Sequence, residues 1–423
     1  MRVFGPWARV LRKRARGVWK RGLILGSIIG PGIITANIDN DAGGIATYSI
    51  AGAHFGYALL WTMIPVTVAL IVVQEMAARM GVVTGKGLAD LIREHFGVTI
   101  TFWLMVALFL TDLGNTTAEF AGWAASVELF GVTKYVSVPI GALFIWLLVV
   151  KGSYRIFERI FLVICLVYFT YVVAAIMAKP QWGEVITQTI RPSIRFDAAS
   201  LSMLIGLVGT TIAPWMQFYL QSSIVEKGVR PDQYWGSRID VIVGSFMTDI
   251  VALFIMVACG ATLFKAGVRI ESAEQAAMAL APLAGNYASM LFAIGLANAS
   301  LFSACILPLA TAYYICEAMG WEAGVDKTLR EAPQFMGLYS ALIVIGALIV
   351  MVPGAPLIAI MWVTQVINGM MLPFVLVLML KLINRDELMK GFTNSRLQNR
   401  VAWVTTVVMM ALTVGLIASA FVP

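Results

Sequence analysis

The stretch Asn37-Ile38-Asp39-Asn40-Asp41-Ala42-Gly43-Gly44 interrupts an otherwise apolar run over about 22–53. Two carboxylates and a Gly-Gly pair do not belong in a plain membrane span. They read as a helix broken at mid-depth, where unwound backbone frees carbonyl oxygens beside an acidic side chain. A second interruption, Thr210-Thr211-Ile212-Ala213-Pro214, falls in the sixth of about eleven apolar runs. The runs are 22–53, 57–79, 98–130, 136–150, 158–178, 199–223, 239–263, 284–316, 334–352, 355–380 and 401–422. Span 6 comes five spans after span 1, so the two enter the membrane from opposite sides. Breaks at matching positions of two halves point to an inverted-repeat transporter with its site at the breaks. Residues 22–178 and 199–380 are the expected repeats, and 401–422 an added helix. A bland alternative is that Gly-Gly and Pro merely kink two helices; it leaves the carboxylates without a purpose.

Composition agrees. The 423 residues are 60% hydrophobic and 13% charged, where soluble chains carry about a quarter charged residues. Runs of about 20 apolar residues match a hydrocarbon core about 30 Å thick and are too long and uniform for barrel strands. The expected class is therefore an all-α polytopic membrane protein. The net charge of +7 reports orientation, not a nucleic-acid partner. With the amino terminus in the cytoplasm, only Lys134, Lys179, Arg191, Arg195, Lys265 and Arg269 of the 30 Lys and Arg residues fall outside. The first 21 residues form a basic cytoplasmic segment, residues 22–423 a single transmembrane domain, and the carboxyl terminus lies outside. No small-residue cleavage site follows the first apolar run, so it is kept as a span. The expected location is the plasma membrane, with lipid and a small solute as partners, no cofactor, and an oligomeric state that the sequence leaves open, a monomer being compatible with it.

Asp41 is the residue most suited to bind a cation, because a carboxylate among freed carbonyls makes a hard, all-oxygen site. Its structural alternative is a cap on the half-helix restarting at Ala42, and the two roles are compatible. Asp39 and Asn40 are expected accessories in a vestibule. Cys165, Cys259, Cys305 and Cys316 sit in apolar spans at unrelated spacings and read as packing. His54 and His95, the only histidines, cannot build a metal cluster.

The stretch Gly30-Pro31-Gly32, followed by Asp41-Ala42-Gly43-Gly44-Ile45-Ala46-Thr47, resembles the first span of the NRAMP metal-transporter family, which has GPG and then DPGN-[IF]-A-T. His54-Phe55-Gly56-Tyr57, Gln74 to Arg79 and Gly81-Val82-Val83-Thr84-Gly85-Lys86 resemble its second span and following loop. Ala118-Glu119-Phe120-Ala121-Gly122 resembles the third span, Pro214 with Tyr219-Leu220-Gln221-Ser222-Ser223 the sixth-span MPHxxYLHS motif, and Gln365 with Leu372-Pro373-Phe374 the tenth. The resemblance implies a LeuT-like fold of five plus five spans. It implies a metal site at Asp41, Gly44, Thr210, Ala213 and Gln365. In the family pattern the Asp and Asn of DPGN, the Met of MPH and backbone carbonyls hold the metal. Here Gly44 replaces the Asn and Ala213 the Met. Loss of a soft thioether and a bulky amide leaves a harder, roomier site suited to partly hydrated Mg²⁺. That pattern is similar to the NRAMP-related magnesium transporters. Between Trp215 and Tyr219 this chain has three residues where the family has two, so Tyr219 as anchor would put Pro214 at the Met position; neither register supplies a methionine.

Trp215 and Gln221 replace the two histidines of MPHxxYLHS, and Thr116 replaces an acid of the third span. A proton path so depleted leads to an expectation of uncoupled transport of Mg²⁺, with Mn²⁺ also accepted. Glu119 and Asp112 are expected to be buried anchors between helices. The rivals are a proton-coupled Mn²⁺/Fe²⁺ symporter and a LeuT-like carrier of an organic solute, whose carboxylate Asp41 and Asp39 would repel. A membrane enzyme lacks its motifs, since no HExxH or GxSxG occurs. Channel filter loops are not recognisable.

Overall fold

The computed structural model describes residues 38–151, 165–324 and 327–419. The basic segment 1–21, the opening of span 1 with Gly30-Pro31-Gly32, and the opening of span 5 lie outside the described residues.

The described chain is helical throughout, with no strand. Its main helices are α1 (Ala42–Phe55), α2 (Met63–Thr84), α3 (Leu88–Phe96), α4 (Val98–Glu128), α5 (Lys134–Val150), α6 (Phe169–Met177) and α7 (Trp182–Ile190). After them come α8 (Ala198–Thr211), α9 (Pro214–Glu226), α10 (Tyr234–Cys259), α11 (Ala288–Met319), α12 (Pro333–Met351), α13 (Leu357–Ile383) and α14 (Arg396–Ser419). Among the described residues, eight continuous or broken helices are long and apolar enough to cross a membrane. Two shorter apolar helices, Lys134–Val150 and Leu166–Met177, fall at the expected spans 4 and 5.

The pairings reveal the repeat. Helix α2 packs on α10, α4 on α11, and α5 on α12. These are spans 2 with 7, 3 with 8 and 4 with 9. The broken pair meets too, since α1 packs on α8. Equivalent spans facing each other across a common centre are what two inverted halves produce about a shared axis. Helix α14 lies outside this scheme, against α8, α13 and α2. Its exposed Trp403, Val404, Val407, Val408 and Val414 form a face that only lipid would cover.

Local chemistry sets the ends. Gly85 closes α2 at φ 65°, and Gly97 turns the chain from α3 into α4 at φ 84°, both in backbone regions glycine enters without strain. Between them α3 buries Leu88, Ala89, Leu91 and Ile92 and leaves its polar residues outward. Asp197 caps α8, its carboxyl accepting from the Ser200 N–H and hydroxyl at 2.9 Å each. Those bonds hold this exposed carboxyl below its usual range, so the cap persists at neutral pH and is lost as acid protonates it.

Candidate functional site

Helix α1 starts at Ala42 because Asp41 is extended (φ −69°, ψ −175°) and its Oδ1 accepts the Gly44 N–H at 2.6 Å. Capping and display of the carboxyl at the break are thus one conformation. Glu119 of α4 reaches the same place: its Oε2 accepts the Ala42 N–H at 3.3 Å, which sets its carboxyl beside that of Asp41. Both groups are buried. Two carboxyls this close repel unless a cation or a proton stands between them. Glu119 is therefore part of the break and more than the helix anchor expected of it.

The second break has a covalent cause. Pro214 has no N–H to give Thr210, so α8 ends at Thr211 and α9 restarts with proline in its first position. The Ala213 carbonyl accepts from Gln217 Nε2 at 3.1 Å and from the Met216 N–H at 3.2 Å. Ala213 thus contributes space, its oxygen being taken. The Thr210 hydroxyl is buried with no hydrogen-bond partner.

Glycine lets the two breaks close on each other. A Cβ on Gly44 would stand 3.3 Å from Thr210 Oγ1, 3.4 Å from Asp41 Oδ1 and 2.5 Å from the Asp39 carbonyl oxygen. A Cβ on Gly43 would collide with the Gln365 side-chain amide. Asp41, Gly44, Thr210 and Gln365 are thereby brought together. The space an asparagine side chain would need at 44 is filled by backbone, so the site is not simply widened there.

Sequence reasoning missed what orients Gln365. Asp112 Oδ2 accepts from the Tyr314 hydroxyl at 2.6 Å and the Thr311 hydroxyl at 2.8 Å, while its Oδ1 accepts from Asn115 Nδ2 at 3.0 Å. Asn115 and Asn368 exchange bonds of 3.1 and 2.8 Å, and Asn368 Nδ2 donates to Gln365 Oε1 at 2.8 Å. An acceptor-only carboxylate at one end fixes each amide in turn, so Gln365 turns Nε2 toward Gly43. Asp112 is the expected interhelical anchor. The one available hint was Asn368 standing one turn after Gln365.

Other expected residues lie apart. Asn40 turns to α10, donating to Thr248 Oγ1 at 2.7 Å. Asp39, 2% exposed, is the last helical residue before the break. Trp215 is buried against Tyr219, ring centroids 6.2 Å apart. Gln221 is two turns down α9 and donates to the Lys86 carbonyl at 2.8 Å. Among the described residues no three His, Cys, Asp or Glu side chains converge. A cavity of about 370 Å³ opens among α1, α8 and α13, with His54, Glu271 and Trp362 in its lining.

Comparison with known proteins bears on this geometry. The family described as "Natural resistance-associated macrophage protein-like" (Nramp) matches residues 32–419. The chain is similar to the "Divalent metal cation transporter MntH" of Granulibacter bethesdensis, 27% identical over 98% of this chain and 92% of the relative. It is also similar to the protein of the same name from Deinococcus radiodurans, 26% identical over 91% and 88%. Among solved structures, the Eremococcus coleocola manganese transporter superposes with a TM-score of 0.77 at 23% identity, over 94% of this chain and 86% of that one. Mhp1, a nucleobase-cation-symport-1 family transporter, superposes at 0.57 and 16% identity, over 92% and 90%. The fold is the LeuT-like one of five plus five spans with a helix added.

Proposed function

The chain belongs to the Nramp family, and from that premise we propose that it carries divalent metal ions across the plasma membrane by alternating access, Mg²⁺ foremost with Mn²⁺ accepted, without coupling to protons. The observation that carries this reading is the donor set where the breaks meet. Asp41 brings charge, Thr210 an unpartnered hydroxyl, and the unwound turns carbonyl oxygen. All are hard donors, and Ala213 offers no thioether. Mg²⁺ keeps several waters and is commonly held by one or two carboxylates, which suits so sparse a set. Gln365 turns a buried, unpartnered Nε2 toward the break, its Oε1 being taken by Asn368. We place the protein as one transmembrane domain, amino terminus cytoplasmic and carboxyl terminus outside. The test is uptake into liposomes holding purified protein, with Mg²⁺, Mn²⁺ and Ca²⁺ offered in turn. Mg²⁺ and Mn²⁺ should enter and Ca²⁺ poorly. Entry of Mn²⁺ with none of Mg²⁺ would sink the assignment.

A second reading, a proton-coupled Mn²⁺ carrier, draws on two observations. Glu119 faces Asp41 and could exchange a proton with it. A thioether, Met361 Sδ, lies 3.4 Å from the Cβ position of Gly122, which Ala42 also crowds. If Met361 is the missing soft ligand, Met361→Leu lowers Mn²⁺ uptake and spares Mg²⁺. On the favoured reading it changes the two alike.

A further inference from the structure

The break in the first span has two faces, and only one is used by the site above. On the other face Asn40 donates to Thr248 Oγ1 at 2.7 Å and approaches the Thr248 carbonyl at 3.5 Å. That clasp lays Asp39-Asn40 beside Thr248-Asp249 of α10, which packs along α1. Asp39 and Asp249 therefore flank one hydrogen bond, within electrostatic reach of each other, of Asp41 and of the Tyr48 hydroxyl. Both are more than nine-tenths buried. The Thr67 hydroxyl donates to the Met63 carbonyl at 2.6 Å, and no hydrogen bond of ordinary geometry reaches any of the four carboxyl oxygens. The buried Asn40 Oδ1, beside the clasp its own amide nitrogen makes, has no partner either.

Buried carboxylates need a counter-charge. Among the described residues the buried basic side chains are Arg79 and Lys134. Arg79 is bound to Glu75 and to the Phe392 and Thr393 carbonyls, and Lys134 to the Val352 carbonyl at 2.8 Å. Neither serves this pair. What the pair offers is two charges, an amide oxygen and hydroxyls, with no sulfur or imidazole.

We propose that Asp39 and Asp249, with Asn40 Oδ1, form a second cation site that holds a hard divalent ion between the break of the first span and the seventh span. Two carboxylates neutralise a divalent ion, and an oxygen set short of six leaves room for the waters Mg²⁺ retains. The site differs from the one at Asp41. Asp41 is extended, with its carboxyl on the Thr210 side, whereas the intervening Asn40 turns its side chain to α10. An ion here ties α1 to α10 in parallel with the Asn40–Thr248 bond, so one break serves both a transported ion and a retained one.

The experiment is equilibrium dialysis of the purified full-length protein against saturating Mg²⁺, with bound metal measured by atomic emission. Wild type should hold two ions per chain, Asp249→Asn one, Asp41→Asn one, and the double variant none. Asp39→Asn provides the same test as Asp249→Asn should that variant elute as aggregate. A wild-type value of one ion overturns the proposal without recourse to any variant, as does an Asp249→Asn protein that binds as much as wild type; the pair would then be neutralised by a proton. Loss of an ion in Asp249→Asn but not in Asp41→Asn would keep this site and remove the transport reading of Asp41.

Discussion

At the scale of single residues, Asp41 caps α1 and is proposed to bind the metal, and substitutions can separate the two tasks. Asn caps helices as well as Asp, while Ala forfeits about 0.5–2 kcal/mol of cap. Asp41→Asn should therefore abolish Mg²⁺ uptake with a melting temperature near wild type, and Asp41→Ala should abolish uptake and melt lower. Wild-type uptake by the Asn variant would remove Asp41 from the ligand set. Ala213 permits a converse experiment. Its carbonyl is engaged by Gln217, so Ala213→Met adds a thioether without taking an oxygen away. The Mn²⁺ to Mg²⁺ uptake ratio should rise, either because a soft ligand favours Mn²⁺ or because lost volume impairs hydrated Mg²⁺. An unchanged ratio would show that position 213 does not line the metal's path. Asp41, Thr210 and Ala213 were legible because carboxylate, hydroxyl and proline break an apolar run where nothing else does. The chain from Asp112 through Asn115 and Asn368 to Gln365 was not, since its members are separated by as many as 253 residues. Asp249, too, reads in sequence as a lone charge. Its neighbour Asp39 is supplied by the packing of α10 on α1.

At the scale of elements, hydropathy located nearly every span, and the helix ends differ from the expected ones by a few residues in either direction. Span 7, expected from 239, begins its helix at Tyr234. What hydropathy cannot carry is which face meets which, because residues facing lipid and residues facing protein are equally apolar. Glycine carried more of that information than the reading used. A Cβ on Gly209 would collide with the Gln365 carbonyl and the Gly369 backbone, and one on Gly369 with the Ile205 carbonyl. Helices α8 and α13 thus touch backbone to backbone through small residues, next to Thr210 on one helix and one turn from Gln365 on the other. Gly369→Val should push them apart. Overpacking costs about 1–3 kcal/mol, so the variant should melt lower and, with the donors separated, lose Mg²⁺ affinity in the same titration. Gly183→Val is the control, because a Cβ there meets nothing within 4 Å. Equal behaviour of the two variants would refute the close contact as a determinant of the site.

At the scale of the whole molecule, charge and potential decide orientation and driving force. The basic cluster from Lys381 to Arg400 lies at one end of α2, α10 and α14, where Arg79 donates to Glu75 and Asn394 and Glu75 accepts from Tyr234 and Gln398. The positive-inside rule puts that end in the cytoplasm. A cysteine at Gly267 should accept an impermeant label in intact cells, and one at Ser395 should not; the reverse pattern would invert the topology. With that orientation, an inside-negative potential drives cations inward. A potential of 100 mV acts on two charges with about 4.6 kcal/mol, from about 2.3 kcal/mol per unit charge. At about 1.4 kcal/mol per tenfold this sustains roughly a thousandfold accumulation with no proton moving. A proton relay would need titratable groups in series. Trp215 and Gln221 hold the positions where histidines would serve, and Asp112 is spent on Tyr314, Thr311 and Asn115. Glu119 meets the break at the Ala42 N–H, beside Asp41, and on the proposed reading the path ends at that pair. A pH-sensitive dye sealed in liposomes should accordingly stay constant while Mg²⁺ or Mn²⁺ enters under an imposed potassium-diffusion potential. Acidification in step with metal influx, abolished by Glu119→Gln, would instead establish Glu119 as a proton carrier and replace the uncoupled mechanism with symport.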